Sequence, residues 1–320
     1  MEYSLSKDLS LMLTESDDHN VIIQVGENQN IKEFRAHSNI LRARSHYFQI
    51  ALSKKWVAKK NNDNMVKYQK PNIDPTVFEI ILRYIYTDEV DLSEKSGADI
   101  FKLLFASDEL LLEKLFKYVQ DYLVENRATW IKQNFDFVFN IVFKFVSCKK
   151  LQEHCLESIC ENPQQFFSSK NFPSLDKNIF YSLLKRDDLQ ISEVIAWNHL
   201  IKWGINQIPC LENDRNKWNE NNYEELKKTI SQFIPLIRFS EISRADFFDN
   251  VRPYKAIIPH NVYEEIMKFY MKDISPISII STPRVRRAKK KSKPTPQIFE
   301  DLPITNFKEA VRWNPYSFRK

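Results

Sequence analysis

Four cysteines (Cys148, Cys155, Cys160 and Cys210) and the neighbouring His154 are the residues of this 320-residue chain best suited to hold a metal. A structural zinc site needs four converging ligands, commonly supplied as two short-spaced pairs. Cys148 and Cys155 lie seven apart and share a helical face, while Cys160 falls off that face and no paired spacing is present. Buried free thiols are the expected state. Asp187-Asp188 offers two carboxylates, but adjacent side chains point apart and the pair precedes a helix start, where capping accounts for acids. His37 stands alone beside a strand end, with no nucleophile or acid at a recognisable spacing. It is expected to be a structural ring whose nitrogen bonds the backbone at a strand–helix corner. Neither a nucleophile elbow nor a His-Glu-x-x-His pair occurs. The three glycines, Gly26, Gly97 and Gly204, are far apart, which excludes the clustered phosphate-cradling loops of nucleotide sites. The chain is therefore expected to be no enzyme, with no catalytic residue, no cofactor and no metal.

One segment does carry a charge pattern. Arg284, Arg286, Arg287, Lys289, Lys290, Lys291 and Lys293 crowd together, flanked by Pro283, Pro294 and Pro296. Residues 281–320 hold 11 Lys/Arg against 3 Asp/Glu, and residues 1–280 hold 36 against 39. The body is thus slightly acidic and only the tail is basic. Like charges at that density repel, so the segment is expected to be extended and solvated. A solvated linker, a nuclear import signal and a contact with nucleic acid or another acidic surface all stay open. No aromatic residue interleaves with the run, which argues against a base-stacking platform.

With 43% hydrophobic and 13% aromatic residues, the chain is too apolar for a disordered one and can build two cores. No run of eighteen apolar residues implies a membrane span, the start lacks a secretory pattern, and no Asn-x-Ser/Thr sequon occurs. Few cysteines, all after residue 147, suit a reducing, cytoplasmic or nuclear setting.

These residues need elements to position them. Leu5, Leu9, Met12 and Leu13 form one stripe of a short helix over residues 4–13, which must cover either its own domain or a second copy of the chain. Val21 to Val25 and Ile31 to Ala36 read as a hairpin around Gly26. A helical stretch starts at His37, and Ser45 can cap a second helix. Residues 59–64 form a polar loop, and Met65 to Tyr68 a further strand. Asp74-Pro75 opens a helix, and one long, largely buried helical segment runs over residues 99–125. From Trp130 to Met271 the spacing is helical. A strong helix starts at Ser192 and ends at Gly204 as its C-cap; another spans Tyr223 to Phe233.

Phe34-Arg35-Ala36-His37, Leu41, Ser45 and Phe48 match the pattern F-x-A-H-x-x-x-L-x-x-x-S-x-x-F, and residues 78–87 match F-x-x-L-L-x-Y-I-Y-T with Ile81 for its first leucine. In both, the sequence resembles the BTB/POZ domain over roughly residues 15–125. Leu184 to Ile191, Glu193, Trp197, Leu200 to Gly204 and Val251-Arg252-Pro253-Tyr254 are similar to the BACK region that follows BTB domains in many adaptors. The expected fold is therefore an α+β N-terminal BTB/POZ domain, a small sheet covered by helices, followed by an all-α BACK-like region. The expected organisation is an N-terminal helix at 1–14, BTB/POZ at 15–125, BACK-like helices at 126–271 and a basic tail at 272–320.

The resemblance implies a protein-interaction adaptor that works through protein partners and crosses no membrane. It implies a homodimer, with Leu5, Leu9, Met12, Leu13 and Asn20 as interface candidates. Asn20 stands where the family often has an aspartate near the dimer contact. It also implies binding to the cullin scaffold of a ubiquitin ligase, although the contact stretch from Ser53 to Asn64, usually acidic and hydrophobic, is basic and polar here. Relatives continue into a Kelch or TLDc domain, for which the residues after 271 are too few, so capture of a partner falls to BACK or the tail, or the chain is a shortened relative. The alternative is a nuclear scaffold or transcription-associated regulator that uses the basic tail on nucleic acid.

Overall fold

A computed structural model describes residues 5–15, 18–53, 65–170, 172–272 and 284. The chain divides into two compact units, the first ending at Glu153 and the second starting at His154.

In the first unit, strand β1 (Val21–Val25) is the centre of a three-stranded sheet ordered β2-β1-β3. It pairs antiparallel with β2 (Lys32–Ala36), Ile23 opposite Phe34, and parallel with β3 (Val66–Lys70), Ile23 opposite Tyr68. The apolar run of β1 has a direct cause. Val21, Ile22, Ile23 and Val25 are all buried, as both faces of a central strand must be when helices cover the sheet. At the edge, β2 instead alternates, with Phe34 and Ala36 buried and Glu33 and Arg35 exposed. The β1–β2 turn needs Gly26, whose φ is +96° and whose missing Cβ would sit 2.0 Å from the Asn30 carbonyl oxygen.

Helix α1 (Leu5–Glu15) precedes the sheet, and α2 (Ser38–Arg44) and α3 (His46–Ala51) follow β2. Helix α4 (Pro75–Thr87) opens with Pro75 in its first turn and with Asp74 accepting from the Thr76 N–H. Its Val77, Phe78, Ile81, Leu82 and Ile85 are buried. The segment expected as one long helix is two: α5 (Gly97–Glu109) and α6 (Glu113–Asn126). The break falls at Leu110-Leu111-Leu112, where Leu111 takes φ +53°. Three consecutive leucines cannot share one inward face, so Leu110 and Leu112 go in and Leu111 is turned out. The reversal lets α5 and α6 pack on each other. Two shorter helices, α7 (Ala128–Gln133) and α8 (Phe135–Val142), follow.

Helix α9 (Lys149–Glu161) runs through the point of division. The second unit continues with α10 (Pro163–Phe167), α11 (Lys177–Lys185), α12 (Glu193–Asn206), α13 (Glu220–Ile230), a series of short turns and a closing helix, His260–Lys272. Its core is aromatic. Phe180 lies 5.3 Å from Trp203 and 5.4 Å from Phe233, centroid to centroid, and the Trp203 indole N–H donates to the Leu175 carbonyl at 2.9 Å.

Gly204 corrects the expected C-cap. It lies inside α12, which ends two residues later. A Cβ there would stand 2.6 Å from Ile230 Cγ2 and 2.7 Å from Leu226 Cδ1. The glycine therefore permits α12 and α13 to approach, and it does not terminate a helix.

Candidate protein-docking surface

The BTB-like motif residues meet at one corner of the first unit. His37 is buried and joins the end of β2 to α2. Its backbone N–H donates to the Tyr86 hydroxyl at 2.8 Å, and its ring Nδ1 lies 2.8 Å from the same oxygen. A carboxylate only accepts, so Nε2–H donates to Asp18 Oδ1 at 2.8 Å. In the neutral ring Nδ1 then accepts from the Tyr86 hydroxyl. The expected backbone partner for the ring is corrected to two side chains. Tyr86 belongs to the second motif, so this contact ties the two motifs together. Burial pushes the Tyr86 hydroxyl up to about 12, with the bond from His37 opposing the shift. It stays protonated, as a donor to Nδ1 must.

Ser45 does two jobs from a buried position. Its Oγ accepts from the Phe48 N–H, starting α3, and donates to the Leu110 carbonyl at 3.0 Å. That bond fastens the start of α3 to the α5–α6 corner. Phe34, Ala36, Leu41 and Phe48, the other motif positions, are core residues.

A charged cluster supports the same place from below. The Lys70 ammonium, 2% exposed, pairs with Glu109 at the end of α5 and lies 4.3 Å from the Tyr47 ring centroid. Asn72 donates to the second Glu109 oxygen at 2.6 Å, and the Tyr47 and Tyr68 hydroxyls share a short contact. Burial pulls the Lys70 pKa down while Glu109 holds it up. Burial and the Tyr68 contact raise Tyr47. The cluster ties β3, α3 and the end of α5 together, with Lys70 buried and Asn72 at its exposed edge.

Two large apolar side chains are exposed here, among the polar His46, Gln49, Glu113 and Lys114. Ile50 on α3 is 52% exposed and Leu111 is 49% exposed. Ile50 lies on the helix that Ser45 starts and Leu111 directly follows Leu110, so both sit on the elements that the Ser45–Leu110 bond joins; Tyr118 on α6 is also exposed. Sequence periodicity passed over Ile50 and counted Leu111 within the largely buried segment over residues 99–125, which its exposure corrects. The signal for Leu111 was the run of three leucines after Glu109, too many for one face. The stretch 54–64, which contains most of the expected cullin contact and the expected polar loop, lies outside the described residues.

The dimer candidates are placed as follows. Helix α1 packs against α4 of the same chain. Leu9, Met12 and Leu13 are half-buried there, and Leu11 is 52% exposed; the side chain of Leu5 lies outside the described residues. Asn20 is exposed, but its side chain is engaged: Oδ1 accepts from the Ser38 N–H and Nδ2 donates to the Ser38 hydroxyl.

Elsewhere, Cys148, Cys155 and Cys160 are buried free thiols and Cys210 is exposed. Burial pushes each buried thiol up to about 12. Among the described residues no three His, Cys, Asp or Glu side chains are grouped to hold a metal. Asp187 and Asp188 do not cap α12, which corrects the expectation. Asp187 pairs with Arg238, and Asp188 takes both forks of Arg186 at 2.9 and 3.0 Å. Of the basic run only Arg284 is described, and its side chain, 7% exposed, pairs with Glu193. For that residue the expected solvation is wrong; the other six lie outside the described residues. No helix among the described residues is long and apolar enough to cross a membrane.

A small sheet clothed in helices, followed by a helical unit, defines a BTB/POZ domain with a BACK region. The family model described as BTB/POZ domain matches residues 9–127, and that described as BTB And C-terminal Kelch matches residues 139–213. The chain belongs to the BTB-BACK proteins. It is 22% identical over 204 residues to BTB/POZ domain-containing protein 3 of Homo sapiens, covering 62% of this chain and 36% of that protein. It is also 22% identical over 227 residues to Kelch-like protein 40a of Danio rerio, covering 71% and 33%. The match thus spans about a third of the length of these curated relatives. Among solved structures, the BTB domain of zebrafish PATZ1 aligns with a TM-score of 0.30 at 22% identity, covering 38% of this chain and 89% of that one.

Proposed function

We propose that this protein is a non-enzymatic adaptor whose first unit docks on a cullin scaffold of a ubiquitin ligase through the α3 and α5–α6 corner. The single observation that carries the reading is the exposure of Ile50 and Leu111 on the two elements that the buried Ser45–Leu110 bond joins. Large apolar side chains held out from a pre-organised backbone suit a docking anchor, since little ordering remains to be done on binding. The half-buried stripe of α1, with Leu11 exposed, supports self-association as a homodimer, and the second unit or the tail recruits the target. Buried reduced thiols suit a cytoplasmic or nuclear setting.

The test is direct binding of the full-length chain to the N-terminal part of a recombinant cullin by calorimetry. Leu111→Asp and Ile50→Asp should each weaken binding by at least about tenfold, with the melting temperature unchanged. No binding by the unsubstituted chain would remove the cullin; undiminished binding by both variants would remove this surface. The alternative, a nuclear scaffold acting through the basic tail, is supported by the charge of residues 281–320. It is separated by salt: affinity for nucleic acid that falls steeply between 50 and 200 mM salt favours it.

A further inference from the structure

The second unit contains a slot that holds a single arginine. Helix α11 ends at Lys185, so the carbonyls of its last turn have no partner within the helix and carry its negative end. The Leu184 carbonyl and that of Arg186, just beyond, both accept from Arg284 Nη1, at 3.0 and 2.5 Å. Opposite stands Glu193, the first residue of α12 and 4% exposed. Its Oε1 accepts from Arg284 Nε at 2.6 Å and its Oε2 lies 3.5 Å from Nη2. Oε2 also accepts the Arg238 backbone N–H at 3.2 Å, which fixes the carboxylate from behind.

All three nitrogens of the guanidinium are therefore engaged, by one carboxylate side-on and by two carbonyls. Charge points the same way. Around the slot Glu193, Asp187 and Asp188 face Arg186 and Arg238, which pair with Asp188 and Asp187. Glu193 is the acid left over, and a buried carboxylate without a cation is costly. Arg238 gives its Nη2 to Asp187 and only its backbone N–H to Glu193; its buried Nε and Nη1 make no hydrogen bond to that carboxylate. The slot requires one more cation, and its acceptors are spread over a planar fork. A lysine ammonium is a point donor at the end of a flexible stem and cannot reach the carboxylate edge and both carbonyls together.

We infer that this is an arginine-reading latch: a binding site for a guanidinium, filled in cis by Arg284, that fastens the basic C-terminal segment of the chain to the second unit. The first residue of the basic run is then a structural ligand, and it is withheld from any acidic partner while the latch is closed.

Trypsin reads the latch, because it must draw the side chain before the cut into its own pocket. The full-length chain is digested briefly, and cleavage of the Arg284–Val285 bond is followed by mass spectrometry. Each protein is compared with a synthetic peptide of its own sequence around that bond. The unsubstituted chain should be cut on the order of 100-fold more slowly than its peptide. Glu193→Gln should bring the rate towards that of the peptide. Arg284→Lys keeps both the charge and the trypsin site and loses only the fork; its protection should fall on the order of tenfold. Cleavage of the unsubstituted chain at the peptide rate would overturn the latch. Full protection of Arg284→Lys would overturn the reading of arginine. Should Glu193→Gln unfold, those two comparisons decide alone, since residue 284 lies outside the helices of the unit.

Discussion

Replacing Gly204 by alanine adds a single methyl group where α12 meets α13. Its Cβ would lie 2.6 Å from Ile230 Cγ2 and 2.7 Å from Leu226 Cδ1, about 1 Å inside ordinary contact. Neither neighbour can yield freely, because both side chains are fully buried and Cγ2 of isoleucine is fixed to a branched carbon. Overpacking of this kind costs about 1–3 kcal/mol, while alanine in a helix interior regains roughly 1 kcal/mol over glycine. With a clash near the upper end, the net loss is about 2 kcal/mol. For a unit of this size that corresponds to a melting temperature lower by roughly 4–8 °C. A double-mutant cycle isolates the cause. Ile230→Ala removes Cγ2 and by itself costs about 2–5 kcal/mol through its cavity, but in the Gly204→Ala background the new methyl group occupies part of that space. The pair should therefore be more stable than the sum of its parts by about 1–2 kcal/mol, read by urea unfolding. Equal or raised stability of Gly204→Ala, or additive losses, would refute the close approach.

Further outcomes follow from the buried groups. Tyr86→Phe leaves the His37 backbone N–H and Nδ1 without their shared partner and should cost about 2–4 kcal/mol in urea melts; a loss below about 0.5 kcal/mol would mean the hydroxyl carries no load. A thiol reagent near neutral pH should titrate Cys210 at once and the three buried thiols only in denaturant. Each buried thiol is raised from 9.0 to about 12 when folded. The folded chain thus keeps protons that the unfolded chain releases, and their contribution, complete below pH 9, should decline as pH climbs towards 12. Alkaline unfolding that is unchanged when Cys155 becomes alanine would contradict that slope. For the proposed dimer, Leu9→Asp should convert the full-length chain to monomer in light scattering; monomer before substitution would remove the dimer.

Much of the first unit could be read from its residues. The β-branched residues Val21, Ile22, Ile23 and Val25 announce a strand, and Asp74-Pro75 marks a helix start through the chemistry of its first turn. The motif residues were found by type and spacing. Their chemistry was not, because the partners of His37 come from Asp18 and Tyr86, far away along the chain. Helix periodicity could not place Leu111, since a reversal of direction leaves no trace in a moment averaged over one long segment. Gly204 misled because a glycine near a helix end fits termination and close packing equally well, and only the position of Ile230 distinguishes them. Asp187 and Arg284 show the same limit for charge. Position along the sequence predicts a cap for the one and solvation for the other, whereas pairing depends on which opposite charge the fold delivers.

The parallel ladder between β1 and β3 constrains when the first unit can form. Its antiparallel neighbour is supplied by a tight turn and can assemble within microseconds, but β3 must first close the long excursion through α2 and α3. Even then the buried Lys70, on β3, still lacks its ion pair with Glu109, which arrives 39 residues later. A chain emerging from the ribosome can therefore hold the β1–β2 hairpin early and cannot settle its interior until α5 has been synthesised, which makes the domain an all-or-none product of its whole length.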